Sequence, residues 1–200
     1  EMIEWLLHLC NSAWEQEIVL QEWKKGIIVK LPKKGNLQDC NNWRGIVLLS
    51  IPEKVYTRMI LWRIKKQVDA VLREEQAGFR SGRSCTDQIF TLRRILEQAL
   101  EHKTPLIINF IDFEKAFDSL DRESLWKILA VYGIPPKYIR VISNLYEDSE
   151  CCVKVENDHT QWFKILTGVK QGCVLSPVLF GLAMDWLMRQ TIGVAAGGIK

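Results

Sequence analysis

The residues best suited to chemistry lie mid-chain, in Phe110-Ile-Asp-Phe-Glu-Lys-Ala-Phe-Asp-Ser-Leu-Asp121. Asp112 follows a run of apolar or uncharged residues, Leu106 to Ile111, whose pattern predicts a strand buried on both faces. A carboxylate at the end of such a strand is costly unless a positive partner meets it. Carboxylates held there are what Mg²⁺ needs, since it takes hard oxygen ligands and keeps substrate phosphates as others. The same residues, with Glu114, Asp118 and Asp121, also read as a polar strand-to-helix turn. A second segment, Thr167-Gly-Val-Lys-Gln-Gly-Cys-Val-Leu-Ser-Pro177, precedes an apolar helix. Gly168 and Gly172 let the backbone turn tightly or approach a ligand, and Lys170 and Gln171 are placed to touch a phosphate or a sugar. Ser176 and Pro177 suit a first helical turn. A plain loop-to-helix junction shows many of the same features.

The elements around these segments follow from periodicity. Met2, Ile3, Leu6, Leu7 and Cys10 recur at helical spacing. Gly26–Leu31 reads as a strand followed by a turn at Pro32–Asn36, and Arg44–Ser50 as a second extended run. Val55, Met59, Ile60, Ile64, Val68 and Val71 predict one face of a helix over 52–72, and another helix covers 86–101. After the strand at 106–111 come helices over 124–132 and 137–146, strands over 151–155 and 162–166, and a helix over 174–190. That order predicts an α+β fold, a small sheet covered by helices on one face.

Composition narrows the classes. Hydrophobic residues are 48% and charged residues 26% of the 200, close to a soluble globular average, which argues against extensive disorder. No apolar run reaches the length of a membrane span; the longest, Gly172 to Met184, is broken by Ser176 and Pro177. No signal peptide or other address is visible, and an initial Glu1 suggests a frame that begins upstream. The six cysteines form no Cys-x-x-Cys pair, and the three histidines sit at no zinc-site spacing, so free thiols are expected. A net charge of +3 permits nucleic-acid binding without demonstrating it. The cluster Lys24, Lys25, Lys30, Lys33, Lys34 and Arg44 says more, although such runs are often solvated faces. Most of the eight tryptophans sit at helical core spacing, which makes them weak indicators of base stacking.

Four segments in order carry a family resemblance. Ile111-Asp-Phe-Glu-Lys-Ala-Phe-Asp118 resembles the first aspartate motif of the reverse transcriptases of LINE-type (non-LTR) retrotransposons, and Gly168-Val-Lys-Gln-Gly-Cys-Val-Leu-Ser-Pro177 resembles their Gln-Gly motif. Asn42-Trp-Arg-Gly-Ile-Val-Leu-Leu-Ser50 is similar to the fingers motif, and Glu74 to Gln88, containing Gly-Phe-Arg-Ser-Gly-Arg-Ser, to the motif before the palm. The wording fits these elements better than group II intron or telomerase enzymes.

The resemblance implies a right-hand polymerase, with a fingers-like region over 1–103 and a partial palm over 104–200 built on a small antiparallel sheet. It implies Asp112 as the catalytic metal ligand, with the Phe113 backbone facing the metal, in a two-ion Mg²⁺ site only partly present in this chain. Phe117 would lie under the incoming sugar and exclude a 2′-hydroxyl. Gln171 and Gly172 would pack near the nucleotide, Ser176 and Pro177 near the template. Arg44 and Lys33 would hold the triphosphate of the dNTP. Gly78, Phe79, Arg80 and Arg83 would track the backbone of the RNA template or DNA primer. Asp118 reads as structural, and Glu114 and Lys115 as exposed. Ser81 and Glu53 depart from the family wording, where proline and glycine are common, and neither falls on an implied ligand. Nuclear action is expected from the family alone, and no protein partner is inferable.

The family's remaining carboxylates come from a Phe/Tyr-Ala-Asp-Asp hairpin after the Gln-Gly motif, and no Asp-Asp pair occurs in these 200 residues. The expectation is therefore a reverse transcriptase fragment, cut in the Gly-rich stretch before Lys200, that does not polymerise alone. The alternative is a non-catalytic RNA-binding module of the same ancestry.

Overall fold

A computed structural model describes residues 1–192; the Gly-rich stretch at 193–200, where the hairpin was expected to approach, lies outside the described residues. The elements run α1 (Met2–Gln16), α2 (Gln21–Lys24), β1 (Lys25–Pro32), a 3₁₀ turn (Cys40–Asn42), β2 (Trp43–Leu48), α3 (Ile51–Val71) and α4 (Cys85–Glu101). They continue with α5 (Arg122–Val131), α6 (Pro136–Tyr146), β3 (Glu150–Val155), β4 (Asp158–His159), β5 (Phe163–Lys164) and α7 (Ser176–Ile192). The result is α+β, as the periodicity predicted, with a small sheet and, among the described residues, seven helices, of which the short α2 was not anticipated.

Local chemistry explains the helix starts. Ser50, Ser84 and Asp121 each accept a backbone N–H with the side chain, which satisfies a donor that has no partner inside the helix. Pro52 and Pro136 sit in first turns, where a missing N–H costs nothing.

The sheet is mixed, in the order β2-β1-β3-β4, with β5 also paired to β3. β1 and β2 are antiparallel, with Leu31 opposite Arg44, and β3 pairs antiparallel with β4 and β5. Among the described strands the one parallel pair, β1 with β3 (Gly26 opposite Cys151), departs from the antiparallel sheet expected. That pair joins residues on either side of the expected boundary at 103/104, and one core of buried side chains runs across it. Ile60, Ile64, Val141, Ile142, Leu179 and Leu182 form its centre, from α3, α6 and α7. The buried side of α3 runs through Glu53, Thr57, Ile60, Ile64 and Val68, so it is rotated from the expected stripe; Val71 is exposed. Among the described residues no helix is long and apolar enough to cross a membrane.

One element differs. No strand forms between α4 and α5 among the described residues, and the segment expected to be buried on both faces is open: Ile107 is 89% and Phe110 83% exposed. An apolar run becomes a buried strand only when neighbours pair its edges and cover its faces, and none of the described strands does so. α4, packed alongside it, buries no residue.

Ile60→Ala is expected to lower unfolding free energy by about 2–5 kcal/mol. Ile89→Ala, on the exposed side of α4, should stay within about 0.5 kcal/mol. Urea unfolding followed by circular dichroism compares the two.

Candidate active site

The segment from Gly168 to Pro177 is held between the acidic segment and strand β2. On one side the backbone N–H of Gly168 donates to the Leu120 carbonyl (2.8 Å) and that of Val169 to the Phe117 carbonyl (2.8 Å). The Thr167 hydroxyl donates to the Asp118 carbonyl, and the Gln171 amide donates to the Asp118 carboxylate at 3.2 Å. On the other side the Val47 N–H donates to the Gln171 carbonyl at 2.6 Å. Gly168 has φ +76°, and a Cβ there would lie 2.6 Å from backbone atoms of Phe117 and Asp118. At Gly172, φ is +127° and a Cβ would lie 2.3 Å from the Val47 carbonyl. Both glycines are required twice over, by backbone conformation and by contact.

The loop is also pinned from beneath. Lys170, which the sequence offered to a phosphate, is buried: its ammonium donates to the Trp23 carbonyl, sits 3.6 Å from the Glu53 carboxylate and lies over the Tyr146 ring. It is a structural cation. Glu53, one of the two departures from the family wording, is its counter-ion, packed into the first turn of α3. Burial pushes the Glu53 carboxyl up to about 7, with the Lys170 charge opposing that rise.

The implied ligands are distributed as follows. Phe117 is half-buried, stacked on Phe180 at 4.9 Å between ring centroids and met edge-on by Phe79 at 6.2 Å. Gly78, Phe79, Arg80 and Pro177 line one small cleft between the loop after α3 and the start of α7. Within it Arg80 turns inward, donating to the Asp69 carboxylate and carbonyl and to the carbonyls of Arg73 and Gln76. The guanidinium expected on a nucleic-acid backbone is thus committed to closing the end of α3. Ser176 is buried, and its hydroxyl donates to the Lys170 carbonyl, so it supports the loop and does not face a template. Arg83 is exposed and makes no ion pair among the described residues.

Lys33 and Arg44 share the far end of the β1–β2 hairpin. The Lys33 backbone and ammonium close the turn on Asn42 and Asn41, and Arg44 is exposed. Of the wider basic cluster, Lys24 is buried. Asp112 and Phe113 are exposed, so Asp112 does not occupy the costly strand-end position that the sequence suggested. Among the described residues no group of three or more His, Cys, Asp or Glu side chains converges as a metal site. A cavity of about 500 Å³ opens beside the docked loop, lined by Ile28, Gly45, Val47, Asp118, Thr167 and Gln171 among others.

The Gln-Gly loop, the Phe117–Asp118 segment and β2 thus meet in space, and a direct comparison identifies the family. The family described as "Reverse transcriptase (RNA-dependent DNA polymerase)" matches residues 31–196. The chain belongs to the reverse transcriptase family. Relatives of this reverse transcriptase chain include the transposon TX1 uncharacterized 149 kDa protein of Xenopus laevis, 33% identical over 81% of this chain and 12% of that protein. The probable RNA-directed DNA polymerase from transposon BS of Drosophila melanogaster is 29% identical over 90% of this chain and 20% of that protein. The Pol polyprotein of the type-2 retrotransposable element R2DM, from the same fly, is 29% identical over 80% of this chain and 15% of its own length. The chain therefore spans about an eighth to a fifth of these relatives. In fold it resembles an apo telomerase from Candida tropicalis, with a TM-score of 0.58 at 19% identity over 89% of this chain and 41% of that one.

Two anchoring residues carried no sequence signal of their role. Asp185 is fully buried and accepts from the Arg73 backbone and guanidinium, the Tyr132 hydroxyl and the Arg189 guanidinium. Burial alone would raise its carboxyl, but those donors outweigh it and hold the group below its ordinary value. Arg122 is the other, and its partners are all backbone carbonyls or a hydroxyl.

Gly168→Ala adds about 1–3 kcal/mol of backbone strain before any clash; it should lower the thermal midpoint and free the loop amides, as proton exchange would register. Glu53 adds a pH dependence. Its folded value of about 7 stands above the ordinary 4.5, so the native state holds this proton more tightly. Its contribution is full below about 4.5 and is lost as pH rises through about 7. Glu53→Gln should flatten the fall in stability across that window, and unchanged slopes in urea titrations would exclude the effect.

Proposed function

We propose that this chain is the fingers and first palm portion of an RNA-directed DNA polymerase of a non-LTR retrotransposon, adding deoxynucleotides to a primer 3′-hydroxyl on an RNA template. The observation that carries this reading is the docking of the Gln171–Gly172 loop between the Phe117–Asp118 segment and β2. Three motifs, at 42–50, 111–118 and 168–177, come together around a cavity large enough for part of a nucleotide.

Each group has a task in that chemistry. The Phe117 ring, fixed against Phe180, presents bulk where a 2′-hydroxyl would sit. Arg44 and Lys33 offer exposed cations for phosphate oxygens, the guanidinium as a fork and the ammonium as a point charge. The Asp112 carboxylate and Phe113 carbonyl are hard oxygen donors of the kind Mg²⁺ takes. They are right in kind but few in number, so the chain supplies part of an ion site. When bound, Mg²⁺ neutralises charge on the attacking and leaving oxygens. The protein's own contribution is positioning and electrostatics.

A second reading, RNA binding without chemistry, draws on two cation–aromatic pairs beside the sheet, Lys30 over Trp43 and Lys25 over Trp162. One experiment separates the two. The 200-residue chain and an in-frame polypeptide extended through the rest of the palm are each given RNA template, DNA primer, dNTPs and Mg²⁺. The extended form should incorporate dNTPs and the short chain should not. In the extended form Asp112→Asn should cost about a thousandfold or more in rate, while Phe117→Ala should let ribonucleotides in. If Asp112→Asn leaves incorporation intact, the polymerase reading is wrong. If neither form incorporates yet both bind RNA, the binding module stands.

A further inference from the structure

We infer that Arg122 is a positioning residue, a guanidinium clamp that fixes the Gln171–Gly172 loop against the acidic segment. Arg122 is the first residue of α5, directly after the helix cap Asp121 and four residues after Asp118. Its side chain runs under the loop and leaves no N–H unused. Nε donates to the Gly168 carbonyl at 2.9 Å, and Nη1 donates to the carbonyls of Tyr146 and Ile165, both at 2.8 Å. Nη2 donates to the Thr167 carbonyl at 3.3 Å and lies 3.5 Å from the Ser149 hydroxyl. The guanidinium lies over the Tyr146 ring, 5.2 Å from its centroid.

The acceptors are not randomly placed. Tyr146 ends α6, so its carbonyl has no partner inside the helix and lies at the negative end of the helix dipole. Ile165, Thr167 and Gly168 are three of the four residues leading into the Gln-Gly loop. No carboxylate pairs with Arg122 among the described residues; carbonyl dipoles neutralise the charge instead. A salt bridge would hold one partner, whereas this arrangement holds the last turn of α6 and the loop entry to one rigid plane. Lysine cannot replace it, because three tetrahedral donors on a flexible stem do not match five in a planar fork. The loop entry held by Arg122 is the same backbone that donates from Gly168 and Val169 to Leu120 and Phe117. The clamp therefore sets the spacing between Gln171 and Asp118, and its catalytic consequence rests on the polymerase reading above.

The test uses the 200-residue chain with Arg122→Lys and Arg122→Ala, read by amide hydrogen exchange. Exchange at Gly168 and Val169 should rise roughly tenfold to hundredfold in both variants, as loss of one or two charge-assisted hydrogen bonds implies, with Ile60 and Leu179 unchanged. Millimolar methylguanidinium should restore protection in Arg122→Ala, and methylammonium should not. Loop exchange at the wild-type rate, wild-type behaviour of Arg122→Lys, or acceleration of all amides together would overturn the clamp. Affinity for an RNA–DNA template-primer, measured in parallel, should fall and recover with loop protection. If the extended polypeptide neither binds template-primer nor incorporates dNTPs, the polymerase reading fails, and the exchange data still decide the clamp.

Discussion

The candidate site depends on one close approach, the seating of the Gly168–Gly172 loop between two backbones. At Gly168 the neighbours are Phe117 and Asp118, and at Gly172 the neighbour is Val47. Neither gap admits a methyl group, and both residues have backbone angles that other residues adopt only with strain. Through this seat the β1–β2 hairpin, the acidic segment and the start of α7 share one geometry. Remove it, and Gln171 no longer reaches Asp118 and Phe117 no longer lies on Phe180.

Polar interactions buried at the seat and in the core beside it give the fold uniqueness more than stability. Lys170 with Glu53, Arg80 with Asp69, and Asp185 with Arg73 and Arg189 are ion pairs in which one or both groups are removed from water. Desolvation offsets much of their attraction, so their net effect on stability is small. A misplaced loop, however, would leave Lys170 and Glu53 unpaired, at a cost of several kcal/mol (about 3–5 for a broken buried pair). The energy gap therefore favours one loop arrangement over its neighbours. Arg122 acts in the same way with carbonyls in place of carboxylates.

The region from α4 to Phe113 stands in contrast. α4 carries apolar residues at helical spacing yet exposes Ile89, Phe90 and Leu100, and the following segment exposes Ile107, Phe110 and Ile111. Asp112 sits at the end of that open segment, while Phe117 and Asp118, a few residues on, are tied to the loop. Order in the acidic motif thus begins at its C-terminal half, where the glycine seat and Arg122 hold it.

The sequence alone determined the longer helices, whose periodicity and caps are local, and the two extended runs that become β1 and β2; their pairing across residues 33–42 belongs to the tertiary structure. It also determined the family, since four ordered motifs over most of the chain specify residue types that few folds require together. Only the tertiary structure decided which polar residues face inward. Lys170 and Arg80 look like solvent-facing cations in sequence, and Glu53 like a surface carboxylate, because nothing within a few residues of each supplies its partner. Burial on both faces at 106–111 is likewise not a local property, since it requires strands that the segment's own residues cannot provide. Arg122 shows the same limit: its acceptors lie 24 to 46 residues away, and they are backbone carbonyls, which no side-chain pattern can mark.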